Sequence, residues 1–423
     1  MIPMKIFTAL FFSSKYWPDA AARSAAADAV TAKLGMEPVS VITDGDLPAP
    51  AAYAGCDTLL VIPCSGSVQP DSLALSRHFS RILLFAAYVR GNFSDELCDA
   101  MLCRNAAPTV MDCYGVLRRD GNVTLIRDFA ALRRHLRLHA ACERVRGGKI
   151  LMVGAPEPWV ISVSGEYELY RKQLGVEIEP VSHEELIRLY EATTPAEAQP
   201  ITEYFAEAKA CVEPTGEDIV RCARMASAMV RLIENHGADG MAIACFSLIG
   251  RLGVNPCLGV SWLNGETPYF AACEGDIDSA VTMLMMRALQ ADNPFMANPC
   301  LQADDTVNFA HCTAPLRVCG VKREFILRNH HETGVGASPR VLYGTGMRVS
   351  MLRYSGVNNA MFLHGGISVP GRYEPNCRTQ LCVRADDYGK WTQNIQGCHQ
   401  VLAFGDIAAD AAALCALLGV EVV

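Results

Sequence analysis

Three apolar runs, "KIFTALFF", "DTLLVIPC" and "SRILLFAAYV", stand between Lys5 and Val89. Runs this short read as strands, and "DTLLVIPC" as one buried on both faces. Segments of helical texture separate and follow them: "PDAAARSAAADAVTAKLG", closed by Gly35, and "DFAALRRHLRLHAACERVRGG". Strands alternating with helices require crossover connections, and crossovers give a parallel sheet with helices on its faces. "PVSVITD" and "PTVMDC" complete the set as further strands. The opening third is therefore expected to be a doubly wound α/β unit. Ligands of such sheets sit beyond the carboxyl ends of the strands, where "VIPCSGS", Val61 to Ser67, makes a polar, glycine-containing turn.

A second unit of the same kind restarts after Gly147-Gly148. "KILMVGAPEPWV" is a strand running into a loop, and "GEYELYRKQLGVEIEPV" is a helix followed by a strand. The Pro-bearing stretch from Thr193 to Thr202 reads as a hinge or surface excursion. "TGEDIVRCARMASAMVRLIENHG" is a helix with Thr215 as N-cap, Asp218 in its first turn and Gly237 as C-cap. "GMAIACFSLIG" follows as a strand and turn. From about Pro315 the texture changes to short alternating strands with glycine turns, "RVLYGTGMRVSMLRYSG", "AMFLHGGISV" and "TQLCVRA", before a small Ala/Leu helix from Ile407 to Leu418. The expected architecture is α/β: two doubly wound α/β units, residues 1–147 and 148–314, then a C-terminal antiparallel β domain, residues 315–423.

Charge and composition narrow the partners. The formal net charge is -8 and no basic stripe appears, which argues against nucleic acid and anionic membrane. No apolar run approaches the roughly 20 residues of a membrane span, and "MKIFTALFFSS" reads as a first strand rather than a signal segment. The 18 cysteines contain no CxxC pair; the closest spacings are Cys98/Cys103 and Cys377/Cys382. Most of them read as buried thiols of a cytoplasmic protein, without a structural zinc site.

The chemistry concentrates in "YFAACEGDIDSAVTMLMMRAL", Tyr269 to Leu289, where a buried run ends in Glu274 and Asp276. Asp276 suits a helix N-cap. Glu274 follows four apolar residues, where an unpaired carboxylate is costly to desolvate; a metal or a basic partner relieves that cost. Oxygen and imidazole donors suit hard and borderline cations. His311 in "VNFAHCTAP" and His399 in "NIQGCHQVLAFGD" both mark strand ends. His330 and His331 in "RNHHETG" and His364 before Gly365-Gly366 lie in polar or glycine-rich settings. His78, His135, His139, His183 and His236 fit ordinary hydrogen-bonded positions on helices. Cys64, Cys245 and Cys273 read as buried thiols rather than nucleophiles. Walker, HExxH, GxSxG and GxGxxG patterns are absent.

In order along the chain, "ACEGDIDSAVTMLMMRAL", "NPFMANP", "FAHCTAP", "NHHETGVGAS", "CRTQ" and "GCHQVLAFGD" resemble the second half of the L-fucose isomerase and L-arabinose isomerase superfamily, over roughly Ala238 to Asp406. The resemblance implies a metal-dependent aldose–ketose isomerase acting through an enediol, with Mn²⁺ the expected ion. It assigns Glu274 as metal ligand and proton-transfer carboxylate, and His399 and His311 as histidine ligands. It places Asn298 where the family carries a second acidic ligand, with Asp276, Asp304 or Asp305 as possible compensation. Trp159 and Arg378 are the substrate-contact candidates, for a sugar face and an anionic substituent. A homo-oligomer, trimer to hexamer, is implied as well. Because Asn298 is neutral, two other readings stay open: a diverged chemistry on a sugar-like substrate (epimerase or lyase), and a carbohydrate-binding paralogue without turnover.

Overall fold

The structure is a computed structural model that describes residues 5–35 and 39–423. The chain divides into two compact units, one ending at Ala140 and one beginning at Ala141.

The first unit is built on five strands: β1 (Ile6–Phe12), β2 (Val39–Thr43), β3 (Thr58–Pro63), β4 (Arg81–Phe85) and β5 (Val123–Ile126). Their order is β2-β1-β3-β4-β5, and every neighbouring pair is parallel. The two-residue pleat explains why the runs are apolar throughout. Leu10, Phe12, Leu60, Ile62, Leu83 and Phe85 enter one apolar cluster, while Phe7, Ala9, Phe11, Leu59, Val61, Ile82 and Leu84 enter another. Each such side chain contributes about 1.5–3 kcal/mol by leaving water. The helix Ala20–Leu34 starts where the Asp19 carboxylate accepts the Ala21 N–H, and it stops at Gly35 in the left-handed region. One expected strand is corrected: "PTVMDC" lies inside the helix Ala106–Leu117. Its buried residues Ala106, Thr109, Val110, Cys113 and Leu117 fall at three- and four-residue steps, a helical stripe rather than a pleat. The fifth strand comes instead from "VTLI", after the turn at Gly121.

The second unit opens with β6 (Lys149–Val153), β7 (Glu177–Val181), the two-residue β8 (Ala210–Cys211), β9 (Gly240–Ile243) and β10 (Phe270–Ala272). Four of them form a parallel sheet in the order β10-β9-β6-β7. The helix Gly216–His236 carries the expected caps, a reciprocal Thr215–Asp218 capping box and left-handed Gly237. The stretch expected to be a surface excursion holds a packed helix, Gln199–Ala206, with Ile201 and Phe205 buried. The segment read as a turn after β9 is the helix Cys245–Leu252, which buries Leu248 and Ile249.

Then the antiparallel strands begin: β11 (Phe295–Leu301), β12 (Thr306–His311), β13 (Arg317–Val318), β14 (Val321–Lys322), β15 (Phe325–Arg328), β16 (Ser338–Val341), β17 (Arg348–Ser355), β18 (Ala360–Ser368), β19 (Thr379–Ala385), β20 (Gln400–Phe404) and β21 (Glu421–Val422). The order β17-β20-β11-β12-β19-β18 closes on itself through β17–β18 pairing, an antiparallel barrel to which β21 adds in parallel. β11 and β12, counted above with the residues before 315, are barrel strands. β13 and β14 pair as a hairpin, and β16-β15-β8 form a small sheet. Barrel and parallel sheet share one apolar interior: Leu151, Val153, Ile243 and Ala271 pack in the same cluster as Phe295, Phe309, Val349, Trp391 and Leu402. Among the described residues no helix is long and apolar enough to cross a membrane.

Candidate metal centre

The carboxyl ends of β6, β9 and β10 run into the segments that carry Trp159, Phe246 and Glu274, as expected for ligand positions in parallel sheets. β10 ends at Ala272, and two residues later Glu274 has φ 58°, in the left-handed region. A non-glycine residue there costs about 1–2 kcal/mol, so the surroundings hold it in place. Its carbonyl accepts the Glu157 N–H at 3.1 Å. The buried Glu157 carboxylate in turn accepts the Phe246 N–H at 2.9 Å, at the start of the helix Cys245–Leu252. Gly275 follows at φ 66°, and a Cβ on it would lie 2.7 Å from Met152 Cε and 2.8 Å from Pro156 Cα. Gly275→Ala should therefore lower stability by about 2–3 kcal/mol through overpacking and backbone strain, measured by urea unfolding. A loss below about 0.5 kcal/mol would show that the loop gives way freely.

The structure brings Glu274, His311 and His399 together. Glu274 Oε1 lies 3.5 Å from His311 Nε2 and 3.4 Å from His399 Nε2, and one donor atom of each residue lies within 4.8 Å of the other two. His311 is the last residue of β12, and His399 immediately precedes β20. Both imidazoles are buried. Their other nitrogens are fixed: His311 Nδ1 meets Thr313 Oγ1 at 2.7 Å, and His399 Nδ1 donates to Asp276 Oδ2 at 2.8 Å. His399 Nε2 is buried without a hydrogen-bond partner. Glu274 Oε2 accepts the indole N–H of Trp159 at 2.6 Å. Trp159 is 51% exposed and stands edge-on to Phe246, with ring centres 4.8 Å apart. Phe246 also meets His330, at 5.3 Å.

These contacts set the charges. Burial alone would raise the Glu274 carboxyl, but the two imidazoles outweigh it and hold it well below the usual carboxylate range. Burial would strip His399 of its proton; the carboxylates of Asp276 and Glu274 reverse this and raise it well above the ordinary histidine value. His330, buried and facing His311, falls to about 4.

Asp276 is the N-cap expected of it, accepting the Ser279 N–H at 2.9 Å at the start of the helix Ile277–Ala288. It also stands behind the cluster, the other role its place beside Glu274 suggests. Its Oδ2 takes both the His399 imidazole and Nη1 of Arg353, the latter at 2.7 Å. A carboxylate on the far nitrogen of a ligand histidine fixes its tautomer and orientation. Asp278, two residues further on, is buried too. Its Oδ1 accepts the Tyr170 hydroxyl at 2.7 Å and the Gly356 N–H at 3.1 Å, while Oδ2 has no hydrogen bond. Burial raises it to about 6, against the pull of Arg353. A carboxyl raised from 3.8 in the unfolded chain binds its proton more tightly when folded. Its contribution to stability is thus lost as pH rises from about 4 to 6, by about 2–3 kcal/mol. Asp278→Asn should remove that slope, so that the difference between variant and wild type in urea unfolding grows in the variant's favour over this window. A pH-independent difference would refute it.

The other expected site residues fall as follows. Asn298 lies on β11 opposite Ala310. By pleat alternation it shares a face with Met296, whose sulfur accepts the Cys273 N–H at 3.4 Å. That face is turned to the Glu274 loop, yet Asn298 hydrogen-bonds none of the three clustered residues. Arg378 braces another loop: its guanidinium binds the Asn329 carbonyl at 2.8 Å and the Asn329 side chain. Cys273 and Cys245 touch sulfur to sulfur at 3.3 Å, both buried. The hydrogen bond between them and burial raise the Cys273 thiol well above its usual value, and burial raises Cys64 likewise, so neither supplies a thiolate.

One carboxylate oxygen and two imidazole nitrogens, one of them unpartnered and buried, fit a divalent cation. This donor set serves open catalytic sites for Zn²⁺ and Fe²⁺, and the carboxylate also suits Mn²⁺. No family model and no curated protein matches the chain.

Proposed function

We propose that the protein is a metal-dependent aldose–ketose isomerase working through an enediol, with Glu274, His311 and His399 as ligands of a divalent ion, Mn²⁺ first among candidates. The observation that carries this reading is the bare, buried Nε2 of His399 beside Glu274 Oε1, with Nδ1 already committed to Asp276. The ion supplies polarisation of the sugar's carbonyl. Glu274 turns Oε1 to the two imidazoles and leaves Oε2 under the exposed Trp159 indole. Oε2 is the oxygen assigned to carry a proton between C1 and C2. Trp159 offers the ring face and Arg378 a positive charge at the edge of the sugar. We further assign the protein to the cytoplasm as a homo-oligomer, with both parallel sheets doubly wound.

The test is exchange of the C2 hydrogen in D₂O, followed by proton NMR, with metal-stripped protein, added Mn²⁺ and a panel of aldoses and ketoses. Metal-dependent exchange supports the reading. Folded, metal-loaded protein that exchanges nothing across the panel overturns it.

Asn298 favours the second reading, a family-like protein whose chemistry has diverged to epimerase or lyase or has been replaced by sugar binding. A neutral amide lowers the charge of the ligand set and cannot act as a base. Asn298→Asp should tighten Mn²⁺ binding by about tenfold, since ligand charge tunes affinity. Titration calorimetry checks this, and unchanged affinity would remove Asn298 from the site.

A further inference from the structure

We propose that Arg353 is a positioning residue that sets the His399 imidazole for cation binding; this rests on the reading of Glu274, His311 and His399 as ligands. Arg353 lies in the largely buried strand β17 and is itself fully buried. Its Nη1 donates to Asp276 Oδ2 at 2.7 Å, to Ser279 Oγ at 3.1 Å and to the His399 carbonyl at 3.0 Å. Nη2 donates to Ser162 Oγ at 3.1 Å and lies 3.7 Å from Asp278 Oδ2.

One guanidinium therefore holds His399 twice, by its backbone directly and by its ring through Asp276. The same group ties the barrel to the helix Ile277–Ala288 and to the loop at Ser162. A buried ion pair of this kind gains little stability over apolar packing of the same volume, which points to a geometric role. Gly397 carries an independent sign of it. A Cβ there would lie 2.4 Å from Arg353 Nε and 2.6 Å from Ser162 Oγ. Glycine at 397 lets the His399 segment rest directly on the guanidinium.

Two variants separate this role from simple structural support. Arg353→Lys keeps the charge but loses the planar fork. Gly397→Ala keeps every charge and pushes the guanidinium aside. Mn²⁺ affinity is read from the electron paramagnetic resonance signal of the free ion, and the melting temperature of the metal-free protein is recorded beside it. Both variants should bind Mn²⁺ about 10- to 100-fold more weakly than wild type, the usual cost of losing support behind a ligand histidine. Melting temperatures that fall while affinity stays at the wild-type value would overturn the proposal, leaving Arg353 a structural residue. Should both variants fail to fold, Ser162→Ala removes only the Nη2 acceptor. It should weaken binding severalfold, and unchanged affinity there would overturn the proposal equally. Wild-type protein that binds no Mn²⁺ would instead refute the metal reading itself.

Discussion

Replacing Glu274 by alanine is expected to weaken Mn²⁺ binding by at least about 100-fold, more than the 10- to 100-fold lost with groups behind a ligand. Glu274 is the one anionic member of the cluster, and its Oε1 is the atom that both imidazoles face. Without it, only two imidazoles remain, a set that holds hard cations poorly. The consequence is measurable as stability. At a Mn²⁺ concentration 100 times the wild-type Kd, the wild-type protein gains about 2.7 kcal/mol from linkage. The variant, at about its own Kd, gains about 0.4 kcal/mol. Thermal unfolding with and without Mn²⁺ separates these outcomes, and an equal gain in both proteins would mean the ion binds elsewhere.

Replacing Arg353 by alanine is expected to cost about 3–5 kcal/mol of unfolding free energy, because it strands buried carboxylates without their counter-charge. Asp276 and Asp278 both have side chains with 0% exposure. A contrast within the same chain makes the point. Arg90 and Asp99 also meet at 2.7 Å, but with side chains 63% and 47% exposed. Arg90→Ala should cost less than about 1 kcal/mol, since solvent already screens that pair. Equal losses for the two variants, measured by urea unfolding, would contradict the assignment of cost to burial.

Much of this arrangement was legible in the sequence where chemistry and local pattern coincide. The apolar run of β3 announced a strand covered on both faces, and its alternation with helices a parallel sheet. Thr215, Asp218 and Gly237 announced the ends of their helix, because capping is decided within a few residues. Glu274, His311 and His399 were legible as polar residues at the ends of apolar strands. What stayed hidden was long-range. Arg353 sits within "VSMLRYS", where alternation gives no hint that a charged side chain is buried between two aspartates. The clue was its place inside a strand otherwise almost wholly buried. "PTVMDC" misled because a short apolar run has no decisive period, and only its position after Asn105 in a helix resolves it. β11 and β12 were counted with the wrong neighbours because barrel closure is a pairing of distant segments, invisible to a reading that moves along the chain.

The continuous apolar interior of the second unit also bears on heredity. A recombination event that joined this barrel to a different parallel sheet would expose Ala271 and Ile243 on one side and Phe295 and Leu402 on the other. Its product would inherit neither a closed core nor the His399–Asp276 link that crosses the same boundary. The segment from Ala141 onward accordingly stands or falls as a single packing unit.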